Sequence, residues 1–110
     1  MALRSKVWLD AGGRFALGDG GVGLLRAIDE NGSIRAAATR VGWSYRHTLA
    51  YLDNAEAAFG LSLVERARGG NDRGGARLTP EGRDFVRRYL SFRERADAAV
   101  LRLYRSTFGA

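Results

Sequence analysis

The sequence predicts a mainly α-helical fold with small β elements, and three observations carry that expectation. Two helical stretches are separated by a Gly-Trp-Ser turn at residues 42–44. Two short extended runs with a glycine-containing loop between them follow directly after the second of those helices. The chain's one proline, Pro80, then opens an apolar-striped stretch that runs almost to the C-terminus. Helix, turn, helix, hairpin and long helix make the order of a winged helix-turn-helix.

At 110 residues the chain suits one domain with a single modest core. It divides into an N-terminal β-hairpin (1–19), helices that include the helix-turn-helix (20–60), a wing (61–79) and a long C-terminal helix (80–108). Residues 6–10 and 14–18 read as strands joined at Gly12-Gly13, because a two-residue hairpin turn needs positive φ and glycine supplies it. Gly20-Gly21 precede a stretch at 22–30 where Val22, Leu25 and Ile28 recur at three-residue steps beside Leu24, as on a helix buried along one face. Asn31-Gly32 stop that helix. Ser33 can cap a second, Ile34–Val41, whose Ala36-Ala37-Ala38 run favours helix and lets a neighbour approach closely. Gly42 turns the chain, Trp43 is a large apolar plug, and Ser44 can cap a third helix, Tyr45–Phe59. Its inward stripe is Leu49, Leu52, Ala55 or Glu56, and Phe59, and Gly60 ends it.

Residues 61–66 and 76–79 read as the wing strands, with a polar loop at 67–75. Thr79-Pro80-Glu81 is a strong helix start: a cap, a proline at the first helical position and an acid in the first turn. A helix from Pro80 to Phe108 would be roughly 40 Å long, more than a domain this small can cover by itself. Phe85, Tyr89, Phe92, Ala96, Ala99 and Leu103 form a heptad-like seam along it. Val86, Leu90, Val100, Leu101, Tyr104 and Phe108 add a second strip. One strip is expected to face the core and the other a partner subunit, which makes a homodimer the expected assembly and the seam its interface.

Composition narrows the function. Apolar residues make up 45% and charged residues 27%, the balance of a folded chain rather than a disordered one. The net charge of +6 favours an acidic partner such as nucleic acid. The basic side chains are one lysine, Lys6, and seventeen arginines; arginine's planar fork suits phosphates and guanine edges, although a GC-rich genome would produce the same bias. Cysteine is absent and His47 is the one histidine, so no thiol nucleophile, His-based triad or metal cluster can be assembled. The glycines at 12–13, 18 and 20–21 are not followed by Gly-Lys-Ser/Thr and make no phosphate loop. An enzyme is therefore not expected, nor any cofactor or metal. No signal peptide and no apolar run near the ~18 residues of a membrane span is present, so a cytoplasmic protein without membrane contact is expected.

The run Leu24-Leu25-Arg26-Ala27-Ile28-Asp29-Glu30-Asn31-Gly32-Ser33-Ile34, then Ala36-Ala37-Ala38, then Ser44-Tyr45-Arg46, resembles the N-terminal DNA-binding domain of the ModE family of molybdate-responsive repressors. Leu63-Val64-Glu65-Arg66, Gly69-Gly70, Gly74-Gly75-Ala76, Leu78-Thr79 and Gly82 follow that family's pattern in order. The chain is similar, more distantly, to the DNA-binding head of LysR-type regulators, which shares the Glu-Arg and Leu-Thr-x-x-Gly features. The likeness is close over residues 24–88 and looser elsewhere. It implies a sequence-specific, bacterial-type transcriptional regulator that binds double-stranded DNA. Where the family commonly has a lysine between the wing's glycine pairs, this chain has Asn71-Asp72-Arg73. Nothing up to Ala110 resembles the oxyanion-binding domain, so molybdate is not expected to bind this chain.

In such a fold the third helix presents its first turn to base edges. Ser44, Tyr45, Arg46, His47 and Thr48 are the expected base-contact residues, with Arg46 first because arginine bonds guanine O6 and N7 together. Tyr45 either donates to a phosphate or stacks on the turn beside Trp43; His47 is either solvated or a DNA contact. Ala50, Tyr51 and Asn54 continue the outward face. Arg35, Thr39 and Arg40 on the second helix and Arg66, Arg68, Arg73 and Arg77 on the wing are the expected phosphate contacts. Arg66 has the alternative of pairing a nearby carboxylate, Glu65 or Glu81. Winged helices also serve as protein or RNA interaction modules, and that is the competing reading.

Overall fold

The computed structural model describes residues 1–67 and 75–109. Strands β1 (Trp8–Ala11) and β2 (Arg14–Gly18) form an antiparallel hairpin, followed by helices α1 (Asp19–Asn31), α2 (Ile34–Val41) and α3 (Tyr45–Phe59). Strands β3 (Val64–Arg66) and β4 (Ala76–Leu78) pair antiparallel, and helix α4 (Pro80–Phe108) closes the order. This is the mainly helical winged architecture expected, with the long terminal helix in place.

Local chemistry sets the boundaries. Gly12 and Gly13 turn the first hairpin with φ of 59° and 79°, the left-handed region that a side chain resists. A bulge between Leu9 and Asp10 breaks the β1–β2 register. Helix α1 begins at Asp19, earlier than the apolar stripe suggests, and takes in Gly20 and Gly21. Gly21 is buried there against Tyr51, whose ring leaves no space for a Cβ. Asp19 puts a carboxylate in the first turn, where it complements the helix dipole.

Gly32, Gly42 and Gly60 end α1, α2 and α3 in left-handed conformation. Ser33 caps α2 by accepting from the Ala36 N–H at 3.1 Å, and Ser44 caps α3 by accepting from the His47 N–H at 3.0 Å. Thr79 caps α4: its hydroxyl accepts from the Gly82 N–H at 2.9 Å and donates to the Ser62 carbonyl at 2.7 Å.

The wing strand β3 is shorter than the 61–66 run suggests. The Glu56 carboxylate of α3 accepts from the Leu63 N–H at 2.7 Å and the Val64 N–H at 3.2 Å, so the approach to β3 is pinned to α3 rather than extended into the ladder. The base of β4 is fixed from the other side, where the Ala76 N–H donates to the Gly32 carbonyl at 2.8 Å. Leu17, Leu24, Leu25, Ile28, Leu52 and Leu63 are fully buried at the centre of the core. Helix α4 contributes only Gly82, Val86 and Tyr89 as buried residues and then projects, giving the molecule extents of 57 × 29 × 22 Å.

Candidate nucleic-acid interface

Helix α3 is buried through Thr48, Leu52 and Ala55. At 100° per residue that leaves Arg46, His47, Ala50, Asp53 and Asn54 on the opposite side, where all are exposed. Arg46 makes no ion pair or hydrogen bond through its guanidinium among the described residues, so its five donors are open to a ligand. His47 is exposed but not isolated: its ring meets Trp43 edge-on, centroids 4.8 Å apart. Trp43 in turn lies 4.9 Å from Tyr51, so the start of α3 is braced by an aromatic cluster.

Three residues fall elsewhere than the sequence suggested. Thr48 is fully buried and its hydroxyl donates to the Ser44 carbonyl at 2.8 Å, so it belongs to the core side of α3 and is not available to a base. A threonine carries no pattern signal that separates a buried, back-bonded hydroxyl from an exposed one. Tyr51 is half-buried rather than outward. Its hydroxyl accepts from the Gly18 N–H at 3.2 Å, and burial pushes the phenol's pKa up against the opposing effect of that bond. Tyr45 is partly buried and stacks under Arg35, whose guanidinium lies 4.0 Å from the ring centroid. That contact holds Arg35 beside the first turn of α3. Ser44 spends its side-chain oxygen on the cap.

The expected phosphate-binding residues form a loosely paired basic rim. The Thr39 hydroxyl donates to the Arg35 carbonyl at 3.2 Å. Arg40 pairs Glu30 at 2.7 Å, and Arg77 pairs Glu65 across the wing at 2.9 Å. Arg66 pairs Asp53 of α3 at 3.8 Å, neither Glu65 nor Glu81. All three pairs are exposed, and such pairs are worth about 0–1 kcal/mol. A phosphate can therefore compete for each arginine at little cost. Arg68 and Arg73 lie outside the described residues.

Of the seam on α4, Tyr89 is buried within its own subunit and so is not an interface residue. Its hydroxyl donates to Asp19, and burial together with that carboxylate pushes its pKa well up, which keeps it a donor. Phe85 is half-buried against Phe59, ring centroids 5.0 Å apart. Phe92 and Leu103 are 51% and 67% exposed; Ala99 is exposed and Ala96 half-buried.

The inward stripe of α3 marks Glu56, the pin of the wing, only as an alternative to Ala55. Its role depends on amides seven and eight residues ahead, which no helical periodicity reveals. Among the described residues no group of three or more His, Cys, Asp or Glu could hold a metal ion. No helix among them is long and apolar enough to cross a membrane.

Comparison with known proteins agrees with this geometry. Residues 22–83 match the model for bacterial regulatory helix-turn-helix proteins of the lysR family. The molybdenum transport protein ModE of Herbaspirillum seropedicae is 37% identical over 67% of this chain and 30% of its own length. The ModE of Azotobacter vinelandii is 34% identical over 90% of this chain and 37% of its own. The chain thus spans about a third of the length of these curated relatives. Among solved structures, the CbnR DBD–DNA complex is 28% identical with a TM-score of 0.59, covering 76% of this chain and 94% of that one. The BenM DBD bound to benA site 1 DNA, at 24% identity and a TM-score of 0.59 over 81% of this chain and 94% of that one, shares the fold.

Proposed function

The chain belongs to the lysR family of bacterial regulatory helix-turn-helix proteins, and from that membership we propose that it is a sequence-specific, non-catalytic DNA-binding regulator of the cytoplasm. Helix α3 enters the major groove and Arg46 reads a base edge. The observation that carries this is the unpaired Arg46 guanidinium at the exposed start of a capped, braced helix, rimmed by arginines whose surface pairs are weak. Arg35, Thr39 and Arg40 approach the backbone on one side and the wing residues Arg66 and Arg77 on the other. ModE relatives are named for molybdenum transport; DNA recognition is the part of their likeness that the residues of this chain support.

The chain acts as a homodimer, joined through the exposed distal half of α4, so that two α3 helices meet two half-sites of a roughly palindromic operator. Phe92, Ala99 and Leu103 are the seam residues left uncovered for that purpose, with Phe85 and Ala96 at its edges.

Selection from random duplexes followed by anisotropy titration tests the reading. Arg46→Ala is expected to weaken cognate binding by about 1–3 kcal/mol and to relax preference at one base position. An equal loss on random duplexes assigns Arg46 to phosphate instead. Wild-type affinity is expected to fall steeply with salt. Absence of duplex binding even at low salt overturns the DNA reading in favour of a protein or RNA interaction module.

A further inference from the structure

Two hairpins flank the exposed strip of α3. On one side Arg66 of β3 reaches Asp53. On the other, Phe15 of β2 meets the Tyr51 ring edge-on with centroids 5.9 Å apart, and Tyr51 lies 6.3 Å from the His47 ring. Positions 51 and 53 are about 160° apart around a helix axis. The wing and the N-terminal hairpin therefore bracket Arg46, Ala50 and Asn54 between them.

The N-terminal hairpin is fixed to α3 rather than merely adjacent to it. The Gly18 N–H at the end of β2 bonds the Tyr51 hydroxyl. Gly21 lets that side chain in, since a Cβ there would lie 2.6 Å from the Tyr51 ring and 2.8 Å from Leu17. At the turn, Gly12 and Gly13 have open space around them and no side chains to keep a ligand away. Arg14, the next residue, is exposed and its guanidinium has no ion pair or hydrogen bond among the described residues. Asp10, on the facing strand, sits across from Phe15 and not from Arg14.

We propose that this hairpin is a second wing: Gly12, Gly13 and Arg14 contact the phosphate backbone of the duplex beside the groove that receives α3. The proposal rests on the DNA-binding reading above. Its chemistry is that of phosphate positioning, for which arginine side chains and backbone N–H groups are both standard donors. Arg14 differs from Arg40, Arg66 and Arg77 in having no carboxylate to release first. Its contribution is sequence-independent affinity and register, not base choice.

The test is duplex binding by the full chain and by Arg14→Ala, Arg14→Lys and Arg14→Glu, titrated between about 50 and 200 mM salt. Because Arg14 is exposed, all variants should melt at the wild-type temperature. Arg14→Ala is expected to lose roughly three- to tenfold in affinity on cognate and random duplexes alike, and to lower the slope of log K against log salt by about one. Arg14→Lys should keep the slope. Hydroxyl-radical footprinting should show protected phosphates flanking the α3 groove that Arg14→Ala exposes. Unchanged affinity and slope in both Arg14→Ala and Arg14→Glu, with the wild type binding normally, overturns the second wing alone. A wild type that binds no duplex at low salt overturns the DNA reading and the second wing together.

Discussion

The two ends of α4 share one helix and similar residue types, yet only one end belongs to the core. Near Pro80 the helix is locked in place: Thr79 caps it, Gly82 sits against the Leu63 backbone, and Val86 and Tyr89 are buried. Beyond Arg93 no described residue of the helix is buried, although Val100, Leu101, Leu103 and Phe108 are as apolar as anything before them. The cover that this half has comes from the chain's first residues. The Arg93 guanidinium donates to the Ser5 carbonyl at 2.9 Å and the Tyr104 hydroxyl to the Met1 carbonyl at 3.2 Å. An apolar stripe thus states that a face needs covering; packing decides whether the same subunit or another molecule covers it.

Glycine and alanine substitutions at the two ends make this contrast measurable. At the anchored end Gly82→Ala is expected to lower stability by about 2–3 kcal/mol, since the new methyl would overlap the Leu63 carbonyl oxygen and a backbone atom cannot step aside. That loss comes despite alanine's better helix propensity. At the projecting end Ala98→Gly removes no packing, and its cost is limited to propensity, about 1 kcal/mol or less. Urea midpoints with unchanged m-values would show the difference. Equal losses at the two sites would mean that the distal half is packed in the same cooperative unit.

The same contrast explains what the sequence could and could not say. Helix ends were legible because they are local: glycines at 32, 42 and 60, serines at 33 and 44, and the Thr-Pro start at 79–80 act within a few residues of themselves. Long-range occupancy was not. Thr48 and Tyr51 lie on α3 at positions that a pattern of leucines leaves ambiguous; core packing beside Leu52 and Ala55 buries Thr48, and the hairpin strand β2 covers Tyr51. Tyr89 fits a heptad seam by spacing, but Asp19 of α1 claims its hydroxyl. Arg66 finds Asp53 because α3 and the wing are neighbours in space, which neither segment announces alone. Arg14 and Arg46 stand out only once the two hairpins are seen to flank α3 and the carboxylate partners of Arg40, Arg66 and Arg77 are known.

A second prediction concerns the exposed seam. Leu103→Asp places a charge on a residue that is 67% exposed in the single subunit, so unfolding of the isolated subunit should change by less than about 0.5 kcal/mol. In the dimer proposed above the same change would bury a carboxylate against apolar side chains, and self-association should weaken by at least about tenfold. Sedimentation equilibrium at micromolar concentration separates the two effects. A wild type that is strictly monomeric there, or a variant that pairs as well as wild type, would remove the dimer seam and leave the distal half for another partner.

The smallest effect sits where the two halves meet. Arg93 is the last residue of α4 with a firm hold on the head, pairing Asp19 at 3.2 Å and Asp97 at 2.7 Å. Burial raises the Asp19 pKa, but the hydrogen bonds from Tyr89 and Arg93 and the arginine's charge overcome it and hold the carboxyl below its ordinary value. A depressed folded-state pKa means that the unfolded chain takes up the proton first. Asp19 therefore adds stability above the unfolded value of about 4, and that contribution fades as pH falls through the lower folded value. The side chain is 38% exposed, and solvent screening limits the gain to about 1 kcal/mol or less. Asp19→Asn should accordingly be less stable than wild type at neutral pH, with the gap closing as pH drops below about 4. If the gap instead stays constant through the acid range, the junction is held by hydrogen-bond geometry alone. The charge of Arg93 would then have no part in anchoring α4 to α1.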